Sequence, residues 1–294
     1  MVQNFTQCEI AMNSAERIEH YAYRLDVEKD EGKTQPPPNW PNQGTIQFKE
    51  VTMRYAPQLP VVLDQVSFDI REREKVGIVG RTGSGKSSLM QALFRMVTTE
   101  GVISIDGVDI TSLSLKDLRT ALAIIPQDPI VFSGTFRFNL DPFGEHSDVE
   151  LWDSLERAGL KKKVNAQEGL LDAPVQAGGE NLSVGERQLL CLSRAMLKKP
   201  KILIMDEATA NVDYETDAMI QKALREDFKE TAILTIAHRL NTVMDFDRIL
   251  VLDQGKIAEF DSPRALVENE ETIFYSLVMQ TGENNAAVLK KMVI

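Results

Sequence analysis

The sequence predicts an α/β fold with a parallel-sheet core, an antiparallel β subdomain ahead of it, and an α-helical subdomain inserted within it. Three observations carry this expectation. Val76–Val79, Ile202–Met205 and Ala232–Ile236 are short apolar runs without alternation, as expected of strands covered on both faces. Residues 45–49 and 61–70 instead alternate apolar with polar side chains, the pattern of antiparallel strands with one buried face. Residues from about 136 to 196 read mostly as helix, so a helical unit interrupts the sheet.

The elements follow in order. Cys8, Met12, Ala15, Ile18, Ala22 and Leu25 fall three or four apart, which predicts a helix over residues 1–28 with an apolar stripe that needs a packing partner. Residues 29–43 begin charged and end in Pro36-Pro37-Pro38-Asn39-Trp40-Pro41, which cannot continue a helix and reads as an extended linker. The main domain then spans 44–280. Within it, Val76–Val79 ends in a glycine-rich turn and a helix opens at Ser87, giving strand, loop, helix. A helical stretch from Glu215 to Phe228 separates the last two apolar runs, Asp253-Gln254-Gly255 joins two strands as a hairpin, and Thr272–Met279 forms a last helix. Residues 281–294 are expected to be a polar tail. No internal repeat is visible.

Composition narrows the function. The 294 residues are 43% hydrophobic with a formal charge of −11, enough for one large core or two modest ones and poorly suited to a sequence-independent grip on nucleic acid. A single nucleotide remains possible because one local loop can hold it. The two cysteines, Cys8 and Cys191, lie far apart in no metal-binding spacing, which fits a reducing cytosolic location. No apolar window is long enough for a transmembrane helix within the chain, and the N-terminus lacks a signal-peptide pattern.

Gly80-Arg81-Thr82-Gly83-Ser84-Gly85-Lys86-Ser87, followed by Ser88, matches the G-x-x-x-x-G-K-[ST] phosphate loop in its confirming strand-to-helix context. Glycines let backbone N–H groups wrap the phosphates, the helix N-terminus adds a positive dipole end, Lys86 supplies a compact charge, and Ser87 offers a hydroxyl to Mg²⁺. The alternative is a glycine-rich turn that only caps a helix, which would not require Lys-Ser at the helix start.

Asp206 and Glu207 end the Ile202–Met205 run, which places both carboxylates at a strand's C-terminal end, where open α/β sheets bind ligands. Asp206 is suited to hold Mg²⁺ through its water shell, and Glu207 to orient or deprotonate the water that attacks the γ-phosphate of ATP. An exposed Asp-Glu helix start is the rival reading.

Leu182-Ser183-Val184-Gly185-Glu186-Arg187-Gln188 resembles the signature sequence of ABC ATPases, usually Leu-Ser-Gly-Gly-Gln. The resemblance covers about residues 44–280 and implies an ABC nucleotide-binding domain that hydrolyses ATP with Mg²⁺. It also implies further roles, residue by residue. Tyr55 resembles the aromatic that stacks on adenine, with a core-packed strand tyrosine as the alternative. Gln127 in Ile125-Pro126-Gln127 resembles the glutamine that reaches Mg²⁺ or water and couples to a membrane domain, with a buried loop amide as the alternative. Asp213, after Ala208-Thr209-Ala210-Asn211-Val212, resembles the D-loop aspartate that faces a partner domain. His238 resembles the switch histidine that holds the γ-phosphate and water, with a structural strand-end histidine as the alternative. Ser183, Val184, Gly185 and Glu186 would complete a site on the opposite domain, so one domain is half a site.

Residues 138–143 and 178–181 are similar to the C subfamily, the multidrug-resistance-associated type, and residues 12–19 resemble the helix that leaves the last membrane span, which implies that residues 1–28 lead from a transmembrane domain that would cover the apolar stripe. That implies export of organic anions, conjugates or drugs at the cytosolic face of a plasma or vacuolar/lysosomal membrane. The partners implied are a first nucleotide-binding domain and the transmembrane domains of the same transporter, with a homodimer possible in isolation. Val184 and Glu186 depart from the usual signature, whereas Glu207 has the usual catalytic identity. Together they imply a second domain and asymmetric ATP sites. Three other readings stay open: a regulatory module of a channel, a soluble ABC ATPase of translation or DNA repair, and a non-catalytic nucleotide-binding domain.

Overall fold

The computed structural model describes residues 2–24, 28, 30, 32, 34–206, 212–237 and 239–293. They fall into two units, Met1–Glu31 and Gly32–Ile294. The first unit is helix α1 (Val2–Glu19), continued by a π-helical turn over His20–Arg24.

The second unit opens with strands β1 (Ile46–Met53) and β2 (Leu63–Ile70), whose side chains alternate between core and solvent as their sequence dictates. β3 (Lys75–Val79), helix α2 (Lys86–Leu93), β4 (Thr99–Ile105), β5 (Val108–Asp109), α3 (Leu115–Ala121) and β6 (Leu122–Ile125) follow. A helical region then holds β7 (Gly134–Thr135), α4 (Phe136–Leu140), α5 (Asp148–Arg157), α6 (Lys161–Asn165), β8 (Pro174–Val175) and α7 (Val184–Lys198). The chain closes with β9 (Ile202–Asp206), α8 (Tyr214–Glu226), β10 (Ala232–Ile236), β11 (Arg248–Asp253), β12 (Lys256–Asp261), α9 (Pro263–Glu268), α10 (Ile273–Gln280) and α11 (Glu283–Val293).

Two main sheets result. The antiparallel sheet has the order β2-β1-β4-β5, and the core sheet has the order β12-β11-β3-β10-β9-β6. In the core sheet every pairing is parallel except β11 with β12. The apolar runs are explained by this placement, because β9 and β10 are covered on both faces. Leu203, Met205 and Ile233 join a core with Leu155 and Leu190 of the helical region, while Ile202, Ile204 and Leu234 join Phe48 and Leu89 under the antiparallel sheet. Each such buried side chain contributes roughly 1.5–3 kcal/mol.

Three boundaries differ from the sequence expectation. Residues 281–294 are not only a polar tail: 283–293 form α11, whose Ala286 and Leu289, three apart on one face, are buried beside Phe274 and Val278. The linker's later half is held to the sheet, since Trp40 Nε1 donates to Ile105 O at 3.0 Å and Asp106 accepts from the backbone N–H groups of Asn42, Gln43, Gly44 and Thr45. The helical region carries a small β7-β8 ribbon, and its last helix runs on to Lys198.

Candidate nucleotide-binding site

The core sheet brings residues distant in sequence to one edge. Ile236 on β10 pairs with Ile78 on β3 and with Asp206 on β9, so Asp206 and the strand that feeds the glycine loop end level across one intervening strand. At about 4.8 Å per strand spacing, that is roughly 10 Å. β6 is the next strand beyond β9, with Ile125 opposite Met205, and it ends where Gln127 begins its loop. Carboxyl ends of parallel strands are where such sheets bind ligands.

The glycine loop has the backbone that its sequence requires. Gly80 has φ +151°, and a Cβ there would lie 2.2 Å from Leu252 O, so only glycine lets the loop leave β3 so close to β11. Gly85 caps α2 with φ +106°. Lys86 is buried, and its ammonium donates to Gly80 O at 2.8 Å and Arg81 O at 3.1 Å, so the loop curls around its own cation. Ser84 Oγ is one of the buried side-chain polar atoms without a hydrogen-bond partner among the described residues. A cradle with a cation, a helix N-terminus and an unsatisfied hydroxyl suits a polyphosphate.

Tyr55 lies just past β1 with its side chain half exposed, and its hydroxyl is hydrogen-bonded to Ser88 Oγ at 2.9 Å. It is therefore not a strand tyrosine packed in the core. The bond ties an available aromatic face to the first turn of α2, one residue beyond exposed Ser87.

The second group of residues gathers at the start of α7. Ser183 caps it: its hydroxyl accepts from Glu186 N at 3.1 Å, and the Glu186 carboxylate accepts from Ser183 N at 2.8 Å. This reciprocal box satisfies two of the orphan N–H groups at the helix start. Lys163 Nζ on α6 lies 3.0 Å from Glu186. Burial alone would push the Glu186 carboxyl up, but the Ser183 N–H and Lys163 hold it below the ordinary glutamate value. Gly185 packs against α8, where a Cβ would lie 2.8 Å from Thr216 Oγ1 and 3.3 Å from Asp213 Oδ2. Asp213 caps α8, accepting from Thr216 N at 3.0 Å and Thr216 Oγ1 at 2.8 Å.

Gln188, quoted in the signature but given no role, proves to be a link. It is 1% exposed, and its amide donates to Pro126 O at 3.1 Å, so α7 grips the loop of Gln127. An amide three residues after Gly185, on the apolar face of an amphipathic helix, is the signal that could have found it. Lys163, within Lys161-Lys162-Lys163, carried no such signal. Glu207, residues 208–211 and His238 lie outside the described residues.

The comparisons decide the family. The model described as ABC transporter matches residues 63–210, half of the chain, and includes the glycine loop, Gln127, the start of α7 and Asp206. The chain belongs to the ABC transporter family.

It is an ABC transporter ATPase domain, similar to sub-family C proteins. It is 50% identical over 291 residues to the mouse (Mus musculus) protein ATP-binding cassette sub-family C member 4, covering 98% of this chain and 22% of that protein. It is 42% identical over 308 residues to the ATP-dependent bile acid permease of Saccharomyces cerevisiae, covering 96% of this chain and 18% of that protein. A solved bacterial Atm1-family ABC exporter with ATP bound aligns with TM-score 0.83 at 30% identity, over 93% of this chain and 47% of that chain. The chain therefore spans about a fifth of the length of these curated relatives. Among its described residues no helix is long and apolar enough to cross a membrane.

Oxygen donors also fit a magnesium ion. Ser87 is exposed at the start of α2, Gln127 is exposed after β6, and Asp206 is half-buried at the end of β9. A hydroxyl, an amide oxygen and a carboxylate form the hard, sparse set that Mg²⁺ accepts when it keeps waters and shares phosphate oxygens. Among the described residues there is no group of three or more His, Cys, Asp or Glu that could hold a metal ion.

Proposed function

We propose that this chain is the second nucleotide-binding domain of a C-subfamily exporter, hydrolysing MgATP to drive organic anions, conjugates or drugs across a plasma or vacuolar/lysosomal membrane from its cytosolic face. The observation that carries the reading is the level row Ile78–Ile236–Asp206, which supports a phosphate loop and a carboxylate acting on one nucleotide. Lys86 exchanges its loop carbonyls for phosphate oxygens, Tyr55 stacks on the base, and Gly80–Ser88 wrap the phosphates. Ser87, Asp206 and Gln127 hold Mg²⁺, which supplies charge neutralisation at the transferring phosphoryl group. Glu207 orients the attacking water and His238 holds it against the γ-phosphate.

The start of α7 completes the site of a first nucleotide-binding domain, and that domain's signature completes this one. Asp213, capping α8 beside Gly185, lies on the same face. The transmembrane domains of the same transporter receive the motion through the Gln127 loop. Support for the second-domain assignment is Glu207 at the catalytic position, and support for organic anions is the likeness to a bile acid permease. The altered signature favours one other reading, a regulatory nucleotide-binding module.

The test is Glu207→Gln in the full-length transporter in lipid. ATP binding retained with turnover and anion export lost supports the reading; turnover at the wild-type rate refutes the catalytic assignment. Wild-type ATP binding with negligible turnover would favour the regulatory module.

A further inference from the structure

The first turn of α7 carries an acid where the family signature usually has a glutamine. Its charge is unwelcome if that turn meets a phosphate. The capping box occupies the Ser183 and Glu186 N–H groups, which leaves the N–H groups of Val184 and Gly185 as the first-turn donors outside the box. The second carboxylate nearby, Asp213, is already engaged by Thr216. Glu186 has a cationic partner from a different helix, Lys163 at 3.0 Å, with both side chains partly buried.

We propose that Lys163 is a positioning residue for the nucleotide held by the opposite domain: it fixes the Glu186 carboxylate on the Ser183 N–H and screens its charge, so the Val184–Gly185 turn can approach an anionic phosphate. The proposal rests on reading α7 as the element that closes on that phosphate. An ion pair that keeps a quarter to a third of its side-chain surface in water contributes little by itself. Its influence grows when closure of two domains excludes water, because the same charges then interact through a lower effective dielectric.

The experiment uses the full-length transporter in lipid and reads ATPase rate against ATP concentration at low and high salt. Lys163→Ala is expected to raise the ATP concentration for half-maximal turnover about two- to fivefold, the scale of a charge at a helix terminus, with kcat retained. Lys163→Arg should restore the wild-type value. In a Glu186→Gln background, where the amide oxygen can still accept from Ser183 N, Lys163→Ala should have no effect. An equal effect in both backgrounds, or none in either, overturns the proposal. Gly185→Asp separates the two layers. It forces a Cβ toward Thr216 and adds charge to the turn, so loss of turnover there with silent Lys163 variants overturns the role of Lys163 alone. Unimpaired turnover in Gly185→Asp overturns the reading of α7 with it.

Discussion

The buried Gln188 amide donates to Pro126 O at 3.1 Å, joining the helix that begins at Ser183 to the loop that carries Gln127. Displacement of either end is thereby felt by the other. Gln188→Leu keeps similar volume but strands the Pro126 carbonyl, which should cost about 1–3 kcal/mol of stability. Coupling should suffer more than binding. In the full-length transporter, kcat is expected to fall while ATP affinity stays within about twofold, measured by steady-state kinetics beside a nucleotide titration; the reverse pattern would show that the bond serves folding alone.

Tyr55 and Ser88 offer a graded test. Tyr55→Phe removes only the 2.9 Å hydroxyl bond and should weaken ATP binding roughly two- to fivefold, as expected for one hydrogen bond. Tyr55→Ala also removes the ring and should weaken it tenfold or more, on the scale of about 1–3 kcal/mol for a base on an aromatic face. Equilibrium titration with a fluorescent ATP analogue distinguishes the two. Equal losses would mean that the ring does not stack.

Lys86→Ala leaves the loop carbonyls of Gly80 and Arg81 without their ammonium partner and removes the cation of the cradle. MgATP affinity is expected to fall by at least tenfold. A thermal melt reports it directly, since a ligand that binds only the folded state raises the transition by mass action. The wild type should gain stability with added MgATP, and the variant should gain little at the same concentration.

Acid stability should report Glu74. This carboxylate is 6% exposed and paired with Arg248, whose Nη2 donates to it at 2.8 Å. Burial alone would raise its pKa, but Arg248 and the Arg71 N–H bring it below the 4.5 of the free group. The folded state thus binds protons less readily than the unfolded chain. Its contribution is fully present above about pH 4.5 and is lost as pH falls through the lower folded value. Glu74→Gln should cost up to about 3 kcal/mol at neutral pH and make the acid limb of stability shallower. Denaturant melts from pH 3 to 7 measure both; an unchanged acid limb would remove Glu74 from the account.

The parts of the fold that follow a strict period were legible in the sequence. The three buried runs became β3, β9 and β10, and the alternating segments became β1 and β2, because burial on two faces or one writes a different residue pattern. Short elements were not legible. β5 and the β7-β8 ribbon have two residues per strand, too few to show any period. The helix α11 was hidden because Ala286 and Leu289 are its only fully buried residues, and the exposed residues around them mix polar side chains with Val288 and Met292. In the site, the glycine loop and Asp206 could be found because chemistry fixes both residue type and spacing. Gln188 and Lys163 act on neighbours 62 and 23 positions away, and no local pattern encodes such partners.

The order of strands in the core sheet also has a consequence for how the protein comes into being. β3, which feeds the glycine loop, is flanked by β10 and β11, and Gly255 N donates to Ser84 O at 3.0 Å from beyond β11. All of those neighbours leave the ribosome more than about 140 residues after the loop itself. A nascent chain that has exposed the entire glycine motif therefore has the loop's own Lys86 bonds and the Tyr55–Ser88 bond, but neither of the strands that flank β3. Competence to bind nucleotide should arrive as a late, single event once the hairpin after β10 emerges, and ATP present during synthesis could act on that last docking step but on none before it.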